Sequence, residues 1–257
     1  MSRICIAERF RSFLPVVADV ETAGFDPKVH ALLEVAFMTV TMDEQGFLHP
    51  GELMSCNVRP FEGSEINEVN INFLGIDPFD ESRNLKSERE GVVPMLKAIS
   101  KRVKAEGCKR AILVGQNGSF DLRFLNAMCE RLNYKRSPFH LFSVLDTASL
   151  AGLVYGQTVL ARACEAAGIP FEDDKAHGAA YDTQKECELF CALYNRFTTF
   201  AGFISSEGAG EEIRDYLKPE TAVKTVDPSS LNAQAAEKNP GATATRPLLR
   251  HTKTVIL

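Results

Sequence analysis

Acidic residues stand at three separate places along the chain, in arrangements that suit the binding of divalent cations. Asp19 and Glu21 are two residues apart in an apolar, β-branched run, residues 14–22. Side chains alternate along a strand, so both carboxylates point to one side. Two like charges at the end of a buried strand repel and lose hydration, a cost that a shared cation offsets. Hard divalent cations take such oxygen ligands. The plainer alternative has Asp19 capping a turn at residues 22–24 and Glu21 facing water. Asp121 closes residues 115–121 (Gly-Gln-Asn-Gly-Ser-Phe-Asp), between a short apolar run and an amphipathic stretch. That sets it near the first turn of a helix, where the helix dipole alone favours an acid. Asp182 opens the last helical stretch, facing the sheet, with His177 five residues before it on a loop. An imidazole titrates near neutrality and can take a proton from water. Each group has an ordinary structural explanation by itself. Together, in this order, they suit an all-oxygen metal site with a base beside it. Mg2+ or Mn2+ fits such a site, whereas zinc would call for more His or Cys.

The elements that must position these groups follow from periodicity. Residues 14–22, 31–41 and 52–58 read as three strands, with a turn signal at residues 43–46 (Asp-Glu-Gln-Gly) between the second and third. The pattern then changes. Residues 88–104 carry Val92, Val93, Leu96, Ile99 and Val103 at helical spacing. Residues 111–115 form a short buried strand. Residues 122–132, 159–167 and 179–200 read as helices, the second ended by Gly168 and Pro170. A β-meander followed by helix, strand and helices predicts an α/β fold with a mixed sheet, the order of the ribonuclease H-like arrangement.

Composition bounds the rest. At 257 residues the chain is one domain with an appendage. No run approaches the roughly 18–20 apolar residues that cross a bilayer. The N-terminus lacks a long apolar stretch followed by a small-residue cleavage site, which points to a cytoplasmic location. The seven cysteines include no C-x-x-C pair, so reduced thiols fit better than a disulfide framework or a zinc site. The net charge of -5 belongs to residues 1–200, because Lys+Arg and Asp+Glu balance at seven each over 201–257. Bulk charge therefore does not grip long duplex DNA; any nucleic acid must be held by a local basic patch or by bridging metal ions. Residues 201–257 read as a linker and a mobile C-terminal extension, with too few large apolar residues for a core. Its end, residues 252–257, could add a strand to another sheet.

The residues quoted above resemble the DEDDh exonuclease family, whose four acids would be Asp19, Glu21, Asp121 and Asp182 and whose histidine would be His177. Residues 16–25, 73–78, 138–142, 146–152, 156–160 and 176–183 are similar to the ribonuclease T branch of that family, over about residues 9–198. The resemblance implies a mixed five-stranded sheet flanked by helices, with an exonuclease domain over 1–200. It implies metal-dependent 3′–5′ hydrolysis with two Mg2+ per site, Mn2+ being an alternative. Asp19 would bridge the two metals. Glu21 and Asp182 would complete the one that carries the attacking water, Asp121 would hold the other, and His177 would take the proton. The substrates implied are RNAs with single-stranded 3′ ends, such as tRNA precursors during stable RNA maturation, with single-stranded DNA left open. Phe25, Phe73, Phe120 and Phe142 would stack on terminal bases, and Asn117 would hydrogen-bond a phosphate or sugar. Arg9, Lys104 and Arg110 would form a remote basic patch that serves the acidic site of the other subunit in a homodimer. One departure stands out: Val69, four residues before Phe73, occupies a position where a polar residue able to read a base is expected. Terminal-base preference therefore stays open. Two relatives of the same type remain as alternatives, a proofreading subunit of a DNA polymerase tethered by the extension, and an oligoribonuclease. A binding module with a degenerate site is disfavoured, because all five chemical groups are present.

Overall fold

Strand β1, Phe13–Thr22, is buried at nearly every position, and burial at consecutive strand positions requires packing on both faces. The computed structural model describes residues 4–205. Of the expected linker and mobile extension, residues 201–257, all but 201–205 lie outside the described residues. β1 pairs antiparallel with β2, Leu32–Met42, and β2 antiparallel with β3, Leu48–Asn57. The turn between β2 and β3 is the one expected: Asp43 Oδ1 accepts the N–H groups of Gln45 and Phe47, and Gly46 takes a φ of 86°. β3 begins at Leu48, four residues before the expected start at 52. It is an edge strand, so Pro50 and Gly51, which read as breakers, are tolerated there.

Helix α1, Glu68–Leu74, follows, then α2, Glu88–Ala105. A capping box between Ser87 and Glu90 starts α2. β4, Arg110–Gly115, runs parallel to β1, and β5, Phe139–Asp146, parallel to β4. The sheet order is β3-β2-β1-β4-β5, five strands as the resemblance implies. Helix α3, Ser119–Arg131, connects the two parallel strands. Helices α4, Thr147–Tyr155, α5, Leu160–Ala167, and α6, Ala179–Ala201, complete the described chain.

The main core fills between sheet and helices, with Phe37, Phe124, Leu96 and Met128 fully buried in it. A second cluster of Ala151, Ala163, Cys164, Leu189 and Leu193 joins α4 and α5 to α6. α6 also packs across β1, β2 and β3. The central strand and the last helix are thereby held rigidly against each other, and these two elements carry three of the four candidate metal-binding acids, Asp19, Glu21 and Asp182.

Candidate active site

Asp19 and Glu21 lie near the C-terminal end of β1, where the chain turns sharply. Thr22 Oγ1 donates to Gly24 O at 2.6 Å. The backbone at Gly24 passes so close to His30 that a Cβ there would lie 2.4 Å from the imidazole, so any larger residue would displace that ring. Opposite Glu21 on β2 stands Glu34. The N-cap of α6 is Gly178, which has no side chain to offer. Glu34 supplies the missing acceptor: its Oε2 takes the N–H of Ala179 at 3.1 Å, while its Oε1 receives Arg83 Nη2 at 2.8 Å. This fixes the start of α6 over the end of β1 and brings Asp182, in the first turn, onto the two β1 acids.

One carboxylate oxygen from each of Asp19, Glu21 and Asp182 lies within 4.8 Å of the others. Asp19 Oδ2 and Asp182 Oδ1 are enclosed and have no hydrogen-bond partner. Asp121, in the first turn of α3, is buried beside them, and its Oδ1 accepts the Val20 N–H at 3.0 Å. Burial holds the Asp19 carboxyl well above its ordinary range, reinforced by the charges of Asp121, Glu186, Glu21 and Asp182. Burial pushes Glu21 up to about 9, with Asp182, Glu34 and Asp121 adding to the effect. Burial raises Asp121 to about 7 against the pull of two N–H groups. Burial also raises Asp182, opposed by the His177 N–H. Like charges gathered in a dry place shift together in this way, and such clusters mark functional sites. The donors are all carboxylate oxygens, and two of them are buried without partners, so the residues fit hard divalent cations such as Mg2+ or Mn2+.

His177 stands at the mouth of this cluster. Its backbone takes a φ of 66°, and its N–H donates to Asp182 Oδ2 at 3.0 Å. Its exposed imidazole packs on Phe73 of α1, ring centroids 4.8 Å apart. Phe73 (43% exposed) and Phe25 (51%), which leaves the turn after Glu21, have rings accessible to a ligand. Val69 is exposed on α1, one turn before Phe73. Phe142 (77% exposed) projects from β5 against His140. Phe120 is half-buried against Phe124 and the main core, with ring centroids 4.9 Å apart, so much of its ring serves packing. Asn117 is exposed, with its N–H on Asp146 Oδ1 at 3.0 Å.

Of the three basic residues, Lys104 and Arg110 are exposed. Arg9 differs: its Nη1 donates to Ile204 O at 2.8 Å, and its guanidinium lies over the rings of Phe10 and Tyr194. Arg9 thus holds the segment after α6, a structural use that its sequence position does not disclose. Sequence reasoning also passes over Glu34 and Glu186. Glu186 follows Asp182 by one helical turn and is fully buried; the i to i+4 spacing on one helix face is the signal that could have found it.

The exonuclease family model RNase_T matches residues 16–190. Two curated relatives carry the name ribonuclease T. That of Hahella chejuensis is 50% identical over 202 residues, 79% of this chain and 93% of the relative. That of Marinobacter nauticus is 51% identical over 198 residues, 77% of this chain and 90% of the relative. Among solved structures, E. coli exonuclease I in complex with a dT13 oligonucleotide superposes with a TM-score of 0.55 at 15% identity, over 73% of this chain and 42% of that one. A 3′-exonuclease solved for its recognition of the histone mRNA stem-loop gives 0.55 at 19% identity, over 71% of this chain and 64% of that one. The chain thus spans less than half of exonuclease I, and at these identities the likeness is one of fold.

Proposed function

The chain belongs to the ribonuclease T family of exonucleases, and from that membership we propose how its acidic site works and on what. It is a 3′–5′ exoribonuclease, a hydrolase of phosphodiester bonds. The observation that carries the mechanism is the meeting of Asp19, Glu21 and Asp182, with unpartnered buried oxygens on Asp19 and Asp182. These three hold divalent cations, two per site, with Asp121 as the fourth acidic group, and Mg2+ is the preferred ion. When bound, divalent cations would polarise the scissile phosphate, lower the pKa of the attacking water and offset charge on the leaving 3′ oxygen. They also reverse the sign of a pocket that would otherwise repel a phosphate.

His177 takes the proton from the attacking water. Its tie to Asp182 through the backbone N–H and its contact with Phe73 set the ring beside the acids. Phe25 and Phe73 stack on the terminal bases, with the accessible edges of Phe120 and Phe142 adding to the surface. Asn117 binds the sugar or phosphate. Arg9, Lys104 and Arg110 form the remote patch that serves the partner's site in a homodimer, Arg9 while also holding Ile204 O. The substrate is RNA with a single-stranded 3′ tail, tRNA precursors among them, trimmed in the cytoplasm. Single-stranded DNA, which offers the same base faces for stacking and the same phosphates, is a second substrate. No described helix is long and apolar enough to cross a membrane.

The test is substitution. Asp19→Asn, Asp121→Asn and Asp182→Asn each abolish cleavage of a 3′-tailed RNA while the fold, read by circular dichroism, persists. Near-wild-type turnover by any folded variant removes that residue from the site.

A further inference from the structure

Among the described residues, the largely enclosed acids fall into two groups: those paired with an arginine, and those, the candidate site's own acids and Glu186, that meet no cation. Glu34 meets Arg83 at 2.8 Å, and Glu88 meets Arg131 at 2.5 Å. Glu186 meets no cation among the described residues. It is 1% exposed and lies on α6 one turn after Asp182, so the two side chains project from one face of the helix. Its Oε1 accepts the N–H of Gln116 at 2.6 Å. Its Oε2 is buried without a hydrogen-bond partner. The charges of Asp121, Asp182 and Asp146 act on it, and its own charge acts on Asp19.

Gln116 starts the loop from β4 to α3. Its side-chain amide donates to Thr158 O and its Oε1 accepts the Thr147 hydroxyl. The next residue, Asn117, is held by Asp146 at 3.0 Å. The bond from Gln116 to Glu186 therefore ties α6 to the loop that presents Asn117 and leads into Asp121. Any acceptor would serve for that bond. A neutral amide would do it without the cost of burying an ionisable group; a buried carboxyl with no counter-charge either takes up a proton or needs a cation within its field.

We propose that Glu186 is a positioning residue and the fifth acidic group of the cation site: one oxygen fixes the Gln116 loop, and the other adds negative charge behind Asp19 and Asp121 that strengthens divalent-cation binding. This rests on the reading of the acidic cluster as a cation site. Glu186 touches neither substrate nor the reacting water; it acts through the acids in front of it.

The experiment measures Mn2+ binding to the full-length protein without substrate, by electron paramagnetic resonance of the free ion. It uses wild type, Glu186→Gln and Asp19→Asn. The glutamine keeps the shape and the acceptor for the Gln116 N–H and removes only the charge. The expected result is about a 10-fold or greater rise in the Mn2+ dissociation constant for Glu186→Gln, with unchanged KM for RNA at saturating Mn2+. Glu186→Ala, which also releases the loop, raises KM as well. Unchanged Mn2+ affinity in Glu186→Gln, while Asp19→Asn loses binding, overturns the inference and leaves the cation site standing: Glu186 is then a neutral, structural acid. Unchanged affinity in both variants overturns the inference together with the cation site. Should Glu186→Gln fail to fold, Glu186→Leu removes the same charge, and the same two results decide the matter.

Discussion

Glu21→Gln stabilises the cation-free protein while destroying its activity. Burial and three neighbouring acids hold the Glu21 carboxyl at about 9, against 4.5 when unfolded. Between those values the folded chain binds a proton that the unfolded chain does not. The stabilisation is complete below 4.5 and is lost as pH rises through 9. At pH 7.5 folding must take up that proton from solution, three pH units above the ordinary carboxylate, which costs about 4 kcal/mol. Glutamine carries no such cost, but its buried amide forfeits roughly 2 kcal/mol of hydration. The net gain is about 2 kcal/mol, or about 4–8 °C in Tm for a domain of this size. Differential scanning calorimetry in EDTA reads it directly. The variant melts higher than wild type at pH 7.5, and the order reverses at pH 5, where wild-type Glu21 takes up its proton for about 0.7 kcal/mol and the lost hydration of the amide dominates. Adding Mn2+ raises the wild-type Tm and leaves the variant nearly unmoved. If the variant melts at or below wild type at pH 7.5 in EDTA, the picture of mutually repelling buried acids is wrong.

Three further outcomes follow from the same geometry. His177→Ala lowers kcat by about 100-fold or more with little change in Mn2+ affinity, if its imidazole takes the proton; rapid-quench turnover with a tailed RNA measures this. Glu34→Ala removes the acceptor for the first N–H of α6 and strands the largely enclosed Arg83, destabilising the protein by about 2 kcal/mol and weakening Mn2+ binding, because Asp182 then lies at a frayed helix end. Reversal of Lys104 and Arg110 to Glu weakens binding of a long RNA and spares hydrolysis of a dinucleotide; equal losses on both substrates argue against a remote patch.

How much of this is legible in the sequence depends on where each residue gets its meaning. Asp19 and Glu21 stand out because acids interrupt an apolar strand, and strand alternation alone sends them to one side. Asp182 and His177 are legible from the start of a long amphipathic helix. The α2 boundary is written in Ser87 and Glu90, which cap it. β5 is hidden because its register with β4 jumps from Phe139 to Val144 opposite Ala111 and Leu113, throwing Leu141 and Phe142 into solvent and erasing the alternation. α1 is hidden because none of its residues is buried, so it has no apolar stripe to read. α4 is nearly all apolar along Ala148, Leu150, Ala151, Leu153 and Val154, which gives no period. Arg9 misleads because a charged residue in a sequence reads as solvated, and only tertiary packing reveals that it holds the segment after α6; the burial of Glu186 is readable only through its i to i+4 spacing from Asp182. Glu34 is the converse case, an acid within a strand whose task belongs to a helix far along the chain.

The most direct test of the central claim is to incubate a 3′-tailed RNA duplex with the full-length protein in Mg2+ and, in parallel, in EDTA, and to size the products over time. The account predicts a ladder that shortens from the 3′ end one nucleotide at a time, halts near the duplex, and is absent in EDTA. Internal cuts, or equal cleavage in the presence of EDTA, would contradict a cation-dependent exonuclease built on these five residues.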